Sequence, residues 1–146
     1  MCCIFFDKLQ CDNLFAICCI QCFNNLPIKP KKYYNDLYNT KLLKKELSNL
    51  RGVYGIIHIK SSKQYIGSSI NLYSRIMDHI KGRRSNIRLQ RSIKKYSLKG
   101  FKIVIYFFYC SPLPNHKNPT LLLKDIETIV ISAFPFSSLF NFKKRG

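Results

Sequence analysis

Acidic residues are scarce in this sequence. The chain of 146 residues has 7 Asp and Glu against 25 Lys and Arg, which gives a formal net charge of +18. No acidic residue occurs between Asp78 and Asp125. Positive charge over such a length repels itself unless solvent or a polyanion surrounds it. Since phosphates release counterions when Lys and Arg replace them, the imbalance favours nucleic acid as the partner.

The sequence also lacks a long apolar run. Its most apolar early stretch, residues 14–23, is about ten residues long, whereas a membrane span needs roughly 20. The amino terminus has neither the basic start of a secretory signal nor the Arg-rich character of a transit peptide. These absences argue against a transmembrane protein and a targeting signal, and we expect no membrane partner. Membrane association through the apolar leader is a weaker alternative.

A second CxxC pair is missing as well. Six of the 7 cysteines precede residue 23, and Cys19-Ile20-Gln21-Cys22 supplies at most half of a zinc site. The uneven distribution also excludes the disulfide framework of a small secreted protein. Tryptophan is absent, whereas Ile, Asn and Lys are frequent, a usage typical of an AT-rich gene. We therefore expect an organelle genome for this chain.

The composition changes along the chain and predicts three segments. Residues 1–32 form a cysteine-rich apolar leader that ends in a stiff basic linker, and we expect it to be poorly ordered. Residues 33–50 are predicted to form an N-terminal helix, because Asn35 can cap residues 36–48 and leucines recur there at helical spacing. Residues 51–146 contain the remaining motifs and form the predicted functional domain.

Residues 51–67 predict a β-hairpin. Val53, Ile57 and Ile59 share one parity, and Ser61-Ser62 can form the turn. If the turn pairs Ile59 with Gln64, Ile66 joins the same apolar face. The opposite face then carries Tyr54, Ile56, His58, Tyr65 and Gly67.

Two helices are predicted after the hairpin. Ser69 can cap the first, which ends near Lys81 before Gly82 and places Arg75 and His79 one turn apart. Asn86 can cap the second, which ends near Ser97. Its predicted inward side chains are Ile87, Leu89 and Ile93.

A strand and a helix complete the predicted domain. Phe101 to Cys110 is rich in aromatic and β-branched residues and predicts a central strand. Asn118-Pro119 starts a final helix that carries Glu127 and ends near Ala133. The predicted fold is a small α/β domain with a three-stranded, mainly antiparallel sheet flanked by helices.

The polar residues of this domain follow a recognisable order. Gly52-Val53-Tyr54 and Tyr65-Ile66-Gly67 frame the hairpin. Arg75, His79, Glu127 and Asn141 follow. Over residues 51–143 this pattern resembles the GIY-YIG nuclease family, with Val53 in place of an isoleucine. Residues 87–92 resemble a helix of intron-encoded homing endonucleases. The resemblance implies the GIY-YIG nuclease fold for residues 51–146 and metal-dependent hydrolysis of DNA.

The resemblance also implies roles for the polar residues. Glu127 would hold Mg²⁺ or Mn²⁺, although an ion pair with Lys124 or Lys143 is an alternative. Arg75 would contact the scissile phosphate in bidentate fashion, whereas an i,i+3 pair with Asp78 would give it a structural role.

The tyrosines, His79 and Asn141 complete the implied catalytic set. Tyr54 is favoured as the general base and Tyr65 as a ligand of phosphate or water, although the two roles could be exchanged. A tyrosine base needs neighbouring cations, since a free phenol titrates near pH 10. His79 could orient a tyrosine, shuttle a proton or be purely structural. Asn141 could hold the phosphate, fix the hairpin or cap a turn.

Several other residues are expected to contact DNA or solvent. One departure from the family is Arg84, which stands where some homing enzymes have a histidine. His58 is assigned to the rim of the substrate site, and His116 to an exposed loop. The residues expected to contact DNA are Gly67, Arg84, Arg88, Arg91, Lys94 and Lys95.

The sequence therefore predicts a homing-type, intron-encoded DNA endonuclease. We expect double-stranded DNA as its partner, no small-molecule cofactor and a monomeric state. The alternative is a catalytically inactive nucleic-acid-binding protein of the same fold. The two differ in whether DNA is nicked in the presence of a divalent metal.

Overall fold

An antiparallel sheet forms the centre of the molecule in a computed structural model, which describes residues 28–110 and 119–142. Its strands are β1 (Lys32–Tyr34), β2 (Arg51–His58), β3 (Gln64–Ser69) and β4 (Phe101–Tyr109). Their order is β1-β4-β2-β3, so that β3 forms one edge. The α/β class and the antiparallel sheet are confirmed, but the predicted three strands are four.

Several predictions lie outside the described residues. They concern the leader up to residue 27 with its Cys19–Cys22 pair, the loop around His116, the helix start at Asn118, and Lys143 as a partner of Glu127.

The additional strand, β1, occupies a segment that we assigned to a linker and a helix. The Lys31 amide donates a hydrogen bond of 2.6 Å to the Ile105 carbonyl. Tyr34 is buried, and its hydroxyl donates to Glu46 Oε2 at 2.6 Å. Three residues are too few to show an alternating pattern, which is why the sequence did not predict this strand.

The first helix, α1 (Thr40–Leu47), begins later than predicted. Asn39 rather than Asn35 is its cap, and the Asn39 side chain accepts a hydrogen bond from the Leu42 amide at 3.2 Å. Leu43 and Leu47 are buried, in agreement with the helical spacing of the leucines.

The hairpin has the predicted faces but a different register. Ile57, not Ile59, pairs with Gln64, and Tyr54 pairs with Gly67. A shift of two residues leaves every side chain on its predicted face, because the period of a strand is two. Ile59 itself lies beyond the strand and is 48% exposed, so its prediction as a core residue is wrong.

Both faces of the sheet are covered by apolar side chains. Val53 and Ile66 pack in one core with α4 (Pro119–Ser132). Tyr54 and Ile56 pack in a second core with α1, α2 (Leu72–Ile80) and α3 (Ile87–Tyr96). The tyrosine face, expected to be a polar surface, is therefore mostly a second core with polar groups at one end.

A register shift between Val53 and Tyr54 interrupts the pairing of β2 with β4. Such a bulge inserts an extra residue into one strand. Tyr106 and Phe107 consequently pack in the same core although they are neighbours in sequence. Gly52 lies beside the bulge, where an added Cβ would approach the Phe107 carbonyl oxygen to 2.0 Å. A side chain at this position is therefore excluded.

The later elements agree with the prediction except at two positions. Asn71, not Ser69, caps α2, and its side chain accepts from the Ser74 amide at 3.1 Å. Asn86 caps α3 as predicted. Ile87, predicted to face inward, is 52% exposed because it occupies the first position of that helix. No helix in the described ranges is long and apolar enough to cross a membrane.

Candidate active site

The hydroxyl of Tyr54 marks the polar end of the tyrosine face. Tyr54 is fully buried and lies directly opposite Gly67 across the hairpin. A Cβ on Gly67 would lie 2.6 Å from the Tyr54 hydroxyl oxygen. Gly67 is itself buried, so its evident role is to leave room for this phenol. Its predicted contact with DNA finds no support in this geometry.

Two further rings pack around this hydroxyl. The Tyr65 ring centroid lies 6.4 Å from that of Tyr54, and the His79 centroid lies 5.0 Å from Tyr65. Tyr65 is only partly buried. The cluster therefore extends from a buried phenol towards solvent through the second tyrosine, and the predicted shared face of the two tyrosines is observed.

Arg75 extends from α2 to the same cluster. Its guanidinium interacts with both phenols and donates a hydrogen bond of 2.7 Å from Nη1 to the Arg84 carbonyl. Asp78, the alternative partner, instead pairs with Arg83 at 3.2 Å and Arg84 at 2.7 Å. Arg75 is thus directed at the tyrosines.

The two phenols are protonated at neutral pH in this state of the protein. Burial raises the pKa of Tyr54 well above its usual value, and the nearby Tyr65 raises it further, whereas Arg75 lowers it. Burial also raises the pKa of Tyr65, followed by the charge of Glu127. More positive charge than Arg75 provides is therefore needed to form a phenolate here.

His79 connects the phenol of Tyr54 to the loop after α2. It is fully buried, its Nε2 lies 2.7 Å from the Tyr54 hydroxyl, and its Nδ1 lies 2.6 Å from Ser85 Oγ. Burial lowers its pKa to about 4, with the charge of Arg75 as the second cause. His79 is therefore neutral at pH 7, and its contact with the Tyr54 hydroxyl fits one of the roles left open above, that of orienting a tyrosine.

Glu127 approaches the site from the other side of the sheet. Its carboxylate is buried, Ser68 Oγ donates to Oε2 at 2.5 Å, and Lys124 Nζ lies 3.2 Å from the same oxygen. Ser68 belongs to the face that packs on α4, opposite the tyrosines. The candidate site therefore lies on both sides of the edge strand β3, with the tyrosines on one face of the sheet and Glu127 on the other.

The oxygen ligands that Glu127 offers suit a hard cation that keeps most of its water and phosphate ligands. The described residues contain no group of three His, Cys, Asp or Glu side chains that could hold a metal. One carboxylate with water and phosphate oxygens is an arrangement that Mg²⁺ accepts. The Lys124 ammonium already places positive charge at this carboxylate, and it is the ion pair considered above as an alternative role for Glu127.

Asn141 fixes the hairpin from a distant part of the chain. Its Oδ1 accepts from the Ile66 amide at 3.0 Å, and its Nδ2 donates to the Ile66 carbonyl at 2.8 Å. The Phe140 amide donates to the Gln64 carbonyl beside it at 2.7 Å. Of the three roles left open, fixing the hairpin is the one observed.

The basic residues of α3 form an exposed surface beside the cluster. Arg88 and Arg91 are exposed, and the Arg88 guanidinium lies 4.3 Å from the centre of the Phe142 ring. Arg84 has a side chain that is 81% exposed. Lys94 and Lys95, in the last turn of α3, are also exposed.

His58 is placed differently from its prediction. It is buried, Nδ1 lies 2.7 Å from Ser61 Oγ, and its ring packs 4.3 Å from that of Tyr96 and 5.2 Å from that of Phe101. It is the last residue of β2, and its observed ring contacts are with Tyr96 and Phe101 rather than with Tyr54 or Tyr65, so its prediction as a residue at the rim of the substrate site finds no support.

Three polar contributors were not identified from the sequence. They are Ser68 on Glu127, Ser85 on His79, and Gln90, whose Nε2 contacts Ser85 Oγ at 2.7 Å. Serine and glutamine are common on protein surfaces, and only the tertiary contacts distinguish these three.

Comparisons with known proteins agree on one family. A family model described as the GIY-YIG catalytic domain matches residues 50–131. The "Probable intron-encoded endonuclease 1" of Neurospora crassa is 37% identical over 125 residues, which cover 82% of this chain and 40% of that protein. The "Probable intron-encoded endonuclease bI1" of the same organism is 35% identical over 109 residues, which cover 71% of this chain.

The chain spans less than half the length of these relatives, since the second match covers 24% of its protein. Among solved structures, the catalytic domain of homing endonuclease I-TevI is similar, with a TM-score of 0.46 and 26% identity. That match covers 64% of this chain and 98% of the other.

Proposed function

The chain belongs to the GIY-YIG nuclease family, and on this basis we propose that it is a homing-type, intron-encoded DNA endonuclease that hydrolyses phosphodiester bonds with a divalent metal. The observation that carries the proposal is the cluster of Tyr54, Tyr65, Arg75 and His79, with the Glu127 carboxylate across the edge strand. The names of the two Neurospora relatives support the homing assignment.

Arg75 is assigned to the scissile phosphate. Its guanidinium is permanently charged, partly exposed and adjacent to both phenols. Preorganised cationic donors of this kind stabilise the negative charge that develops on the phosphate oxygens in the transition state.

Tyr54 is assigned as the proton acceptor for the attacking water, and Tyr65 as a ligand of water or phosphate. Tyr54 is the tyrosine whose hydroxyl is hydrogen-bonded to His79, while Tyr65 is the one that reaches solvent. A Mg²⁺ or Mn²⁺ ion at Glu127 would supply additional positive charge near the phosphate and the phenols. Lys124 contacts Oε2 of this carboxylate, so an ion that bound at that oxygen would have to displace Lys124.

The exposed basic residues are assigned to the phosphates of double-stranded DNA. Arg88, Arg91 and Lys95 recur at spacings of three and four on α3 and therefore follow one face of that helix. Arg84 and Lys94 extend the same positive surface. Contacts of this type position the duplex without reading its sequence, and they weaken as salt rises.

The assigned location rests on composition and on the names of the relatives. The AT-rich codon usage implied by frequent Ile, Asn and Lys, together with relatives named as intron-encoded, supports a mitochondrial location. We also assign a monomeric state and no small-molecule cofactor. Light scattering of the purified protein at micromolar concentration tests the monomer.

Nicking of supercoiled plasmid with Mg²⁺ tests the proposed activity. We expect the wild type to nick DNA and Glu127→Gln to lose nicking by at least about a hundredfold, while it still binds DNA. Asp125→Asn is the matched control, because Asp125 is an exposed carboxylate on the same helix. Binding without cleavage in every divalent metal tried would instead favour the inactive nucleic-acid-binding protein.

A further inference from the structure

A line of hydrogen bonds leads from helix α3 to the Tyr54 hydroxyl. Gln90 Nε2 lies 2.7 Å from Ser85 Oγ, Ser85 Oγ lies 2.6 Å from His79 Nδ1, and His79 Nε2 lies 2.7 Å from the Tyr54 oxygen. His79 and Tyr54 are both fully buried. The direction in which each of these bonds is donated determines what His79 offers to the phenol.

The Gln90 end of this line has a fixed direction. Gln90 Nε2 also lies 2.9 Å from the backbone carbonyl oxygen of His79. A carbonyl oxygen only accepts, so the amide group facing it must be the NH₂ group and not the amide oxygen. Both hydrogens of that nitrogen are then used, one on the His79 carbonyl and one on Ser85 Oγ.

The next hydrogen bond is donated by Ser85 to His79. Since Ser85 Oγ accepts from Gln90, its own hydrogen is available, and Nδ1 of His79 is its neighbour at 2.6 Å. An Nδ1 that accepts leaves the hydrogen of a neutral imidazole on Nε2. That hydrogen points at the Tyr54 oxygen.

We propose that Ser85 and Gln90 are positioning residues that hold His79 in its Nε2–H tautomer, so that His79 donates a hydrogen bond to the Tyr54 oxygen and does not accept the Tyr54 proton. The effect of this hydrogen bond on catalysis rests on the proposed nuclease function. A donor at this position stabilises the phenolate form of Tyr54, as charge-assisted hydrogen bonds do. The hydrogen of the phenol itself is then not shared with His79.

The protonation state of His79 also agrees with a role as donor. Its pKa is lowered to about 4 by burial and by Arg75, which makes the imidazole a poor acceptor for a phenolic proton. Gln90 also belongs to α3, the helix that carries Arg88 and Arg91. The orientation of the proposed base therefore depends on the seating of the helix assigned to DNA.

Nitrogen-15 NMR of the full-length protein labelled at histidine tests the tautomer directly. We expect His79 Nε2 to show the shift of a protonated nitrogen and Nδ1 that of an unprotonated one, with Ser85→Ala mixing the two forms. Ser61→Ala is the matched control, since Ser61 bonds Nδ1 of His58 and should leave the His79 signals unchanged. An Nδ1–H tautomer in the wild type would overturn the proposal.

Plasmid nicking tests the consequence for the reaction. Ser85→Ala and Gln90→Met should lower the maximal rate about tenfold, with DNA affinity unchanged, since one hydrogen bond to a charged oxygen has about this effect. The pH profile of the rate should also shift to higher pH, because the phenolate form of Tyr54 is less stable without an oriented donor. The other groups that face Tyr54, namely Tyr65, Arg75 and Glu127, are unaltered, so the shift reports on His79. An unchanged rate and pH profile would overturn the proposal. If the wild type has the expected tautomer but never cleaves DNA, the proposed nuclease function is wrong, while the proposed role of Ser85 and Gln90 in fixing the His79 tautomer stands.

Discussion

Two buried histidines lie on the same face of the sheet, and only one belongs to the candidate site. His58 is the last residue of β2, whereas His79 comes from α2 and meets Tyr54 in the middle of β2. We call these two regions the His58, or structural, end and the His79, or active, end. Each histidine has a serine on Nδ1: Ser61 at 2.7 Å for His58, and Ser85 at 2.6 Å for His79. The two histidines differ in the other groups that contact their rings. His58 packs between Tyr96 and Phe101, whereas His79 Nε2 meets the hydroxyl of Tyr54.

The charges around the two histidines also differ. At the His79 end, Arg75 lies beside both phenols, and the Glu127 charge reaches them across β3. At the His58 end the ring neighbours are aromatic. A buried histidine with a serine partner is therefore not by itself evidence of a site. A polar group on its second nitrogen, near an arginine and a carboxylate, is what distinguishes the active end.

Replacing each histidine by glutamine gives the sharpest test of this difference. His79→Gln should lower plasmid nicking by about tenfold or more, because it removes the ring that orients the Tyr54 hydroxyl and donates to its oxygen. His58→Gln should change the rate by less than about threefold, because its effect is confined to packing. Equal losses in the two variants would show that the two ends do not differ in function.

The sequence predicted the active end better than the structural end. The resemblance to the family grouped Tyr54, Tyr65, Arg75 and His79 in one site. Strand parity put the two tyrosines on one face, and helical spacing put Arg75 one turn from His79, as observed. His58 shares the parity of the tyrosines, and parity cannot tell how far along a strand a site extends. Its neighbour Tyr96 comes from a helix thirty-eight residues later.

Other features depended on tertiary contacts that no local pattern encodes. Glu127 was identified as a candidate, but its approach from the opposite face follows from the packing of α4 on β3. The three-residue β1 shows no period, and Asn39 competes with Asn35 as a cap of equal propensity. Asn141 reaches Ile66 across 75 residues of chain.

The pH dependence of stability gives a second way to probe His79. Its pKa is about 4 in the folded protein against a usual 6.5, so the unfolded chain binds the proton more tightly. The stabilisation from a neutral His79 is fully present above pH 6.5 and is lost as the pH falls to 4, with a total of about 3 kcal/mol.

Urea unfolding between pH 4 and 7 measures this loss. His79→Gln should be less dependent on pH than the wild type in that window by about 3 kcal/mol. Parallel curves of unfolding free energy against pH for the wild type and the variant would mean that His79 gains its proton as readily when folded as when unfolded. The pKa of His79 would then not be lowered by its surroundings in the folded protein.

The two ends also differ in how tightly a glycine is enclosed. A methyl group on Gly67 would lie 2.6 Å from the Tyr54 hydroxyl oxygen and 3.0 Å from the Tyr65 ring, whereas one on Gly100 would lie 3.4 Å from Tyr96 and 3.6 Å from the His58 ring. Gly67→Ala should therefore cost about 1–3 kcal/mol of unfolding free energy, as overpacking does, and displace the Tyr54 phenol. Gly100→Ala should stay within about 0.5 kcal/mol. Urea unfolding measures both variants.

Gly67→Ala could instead be as stable as Gly100→Ala and nick DNA at the wild-type rate. The Tyr54 hydroxyl could then not be held where Gly67 leaves room for it, and the assignment of the buried phenol as the proton acceptor would be wrong.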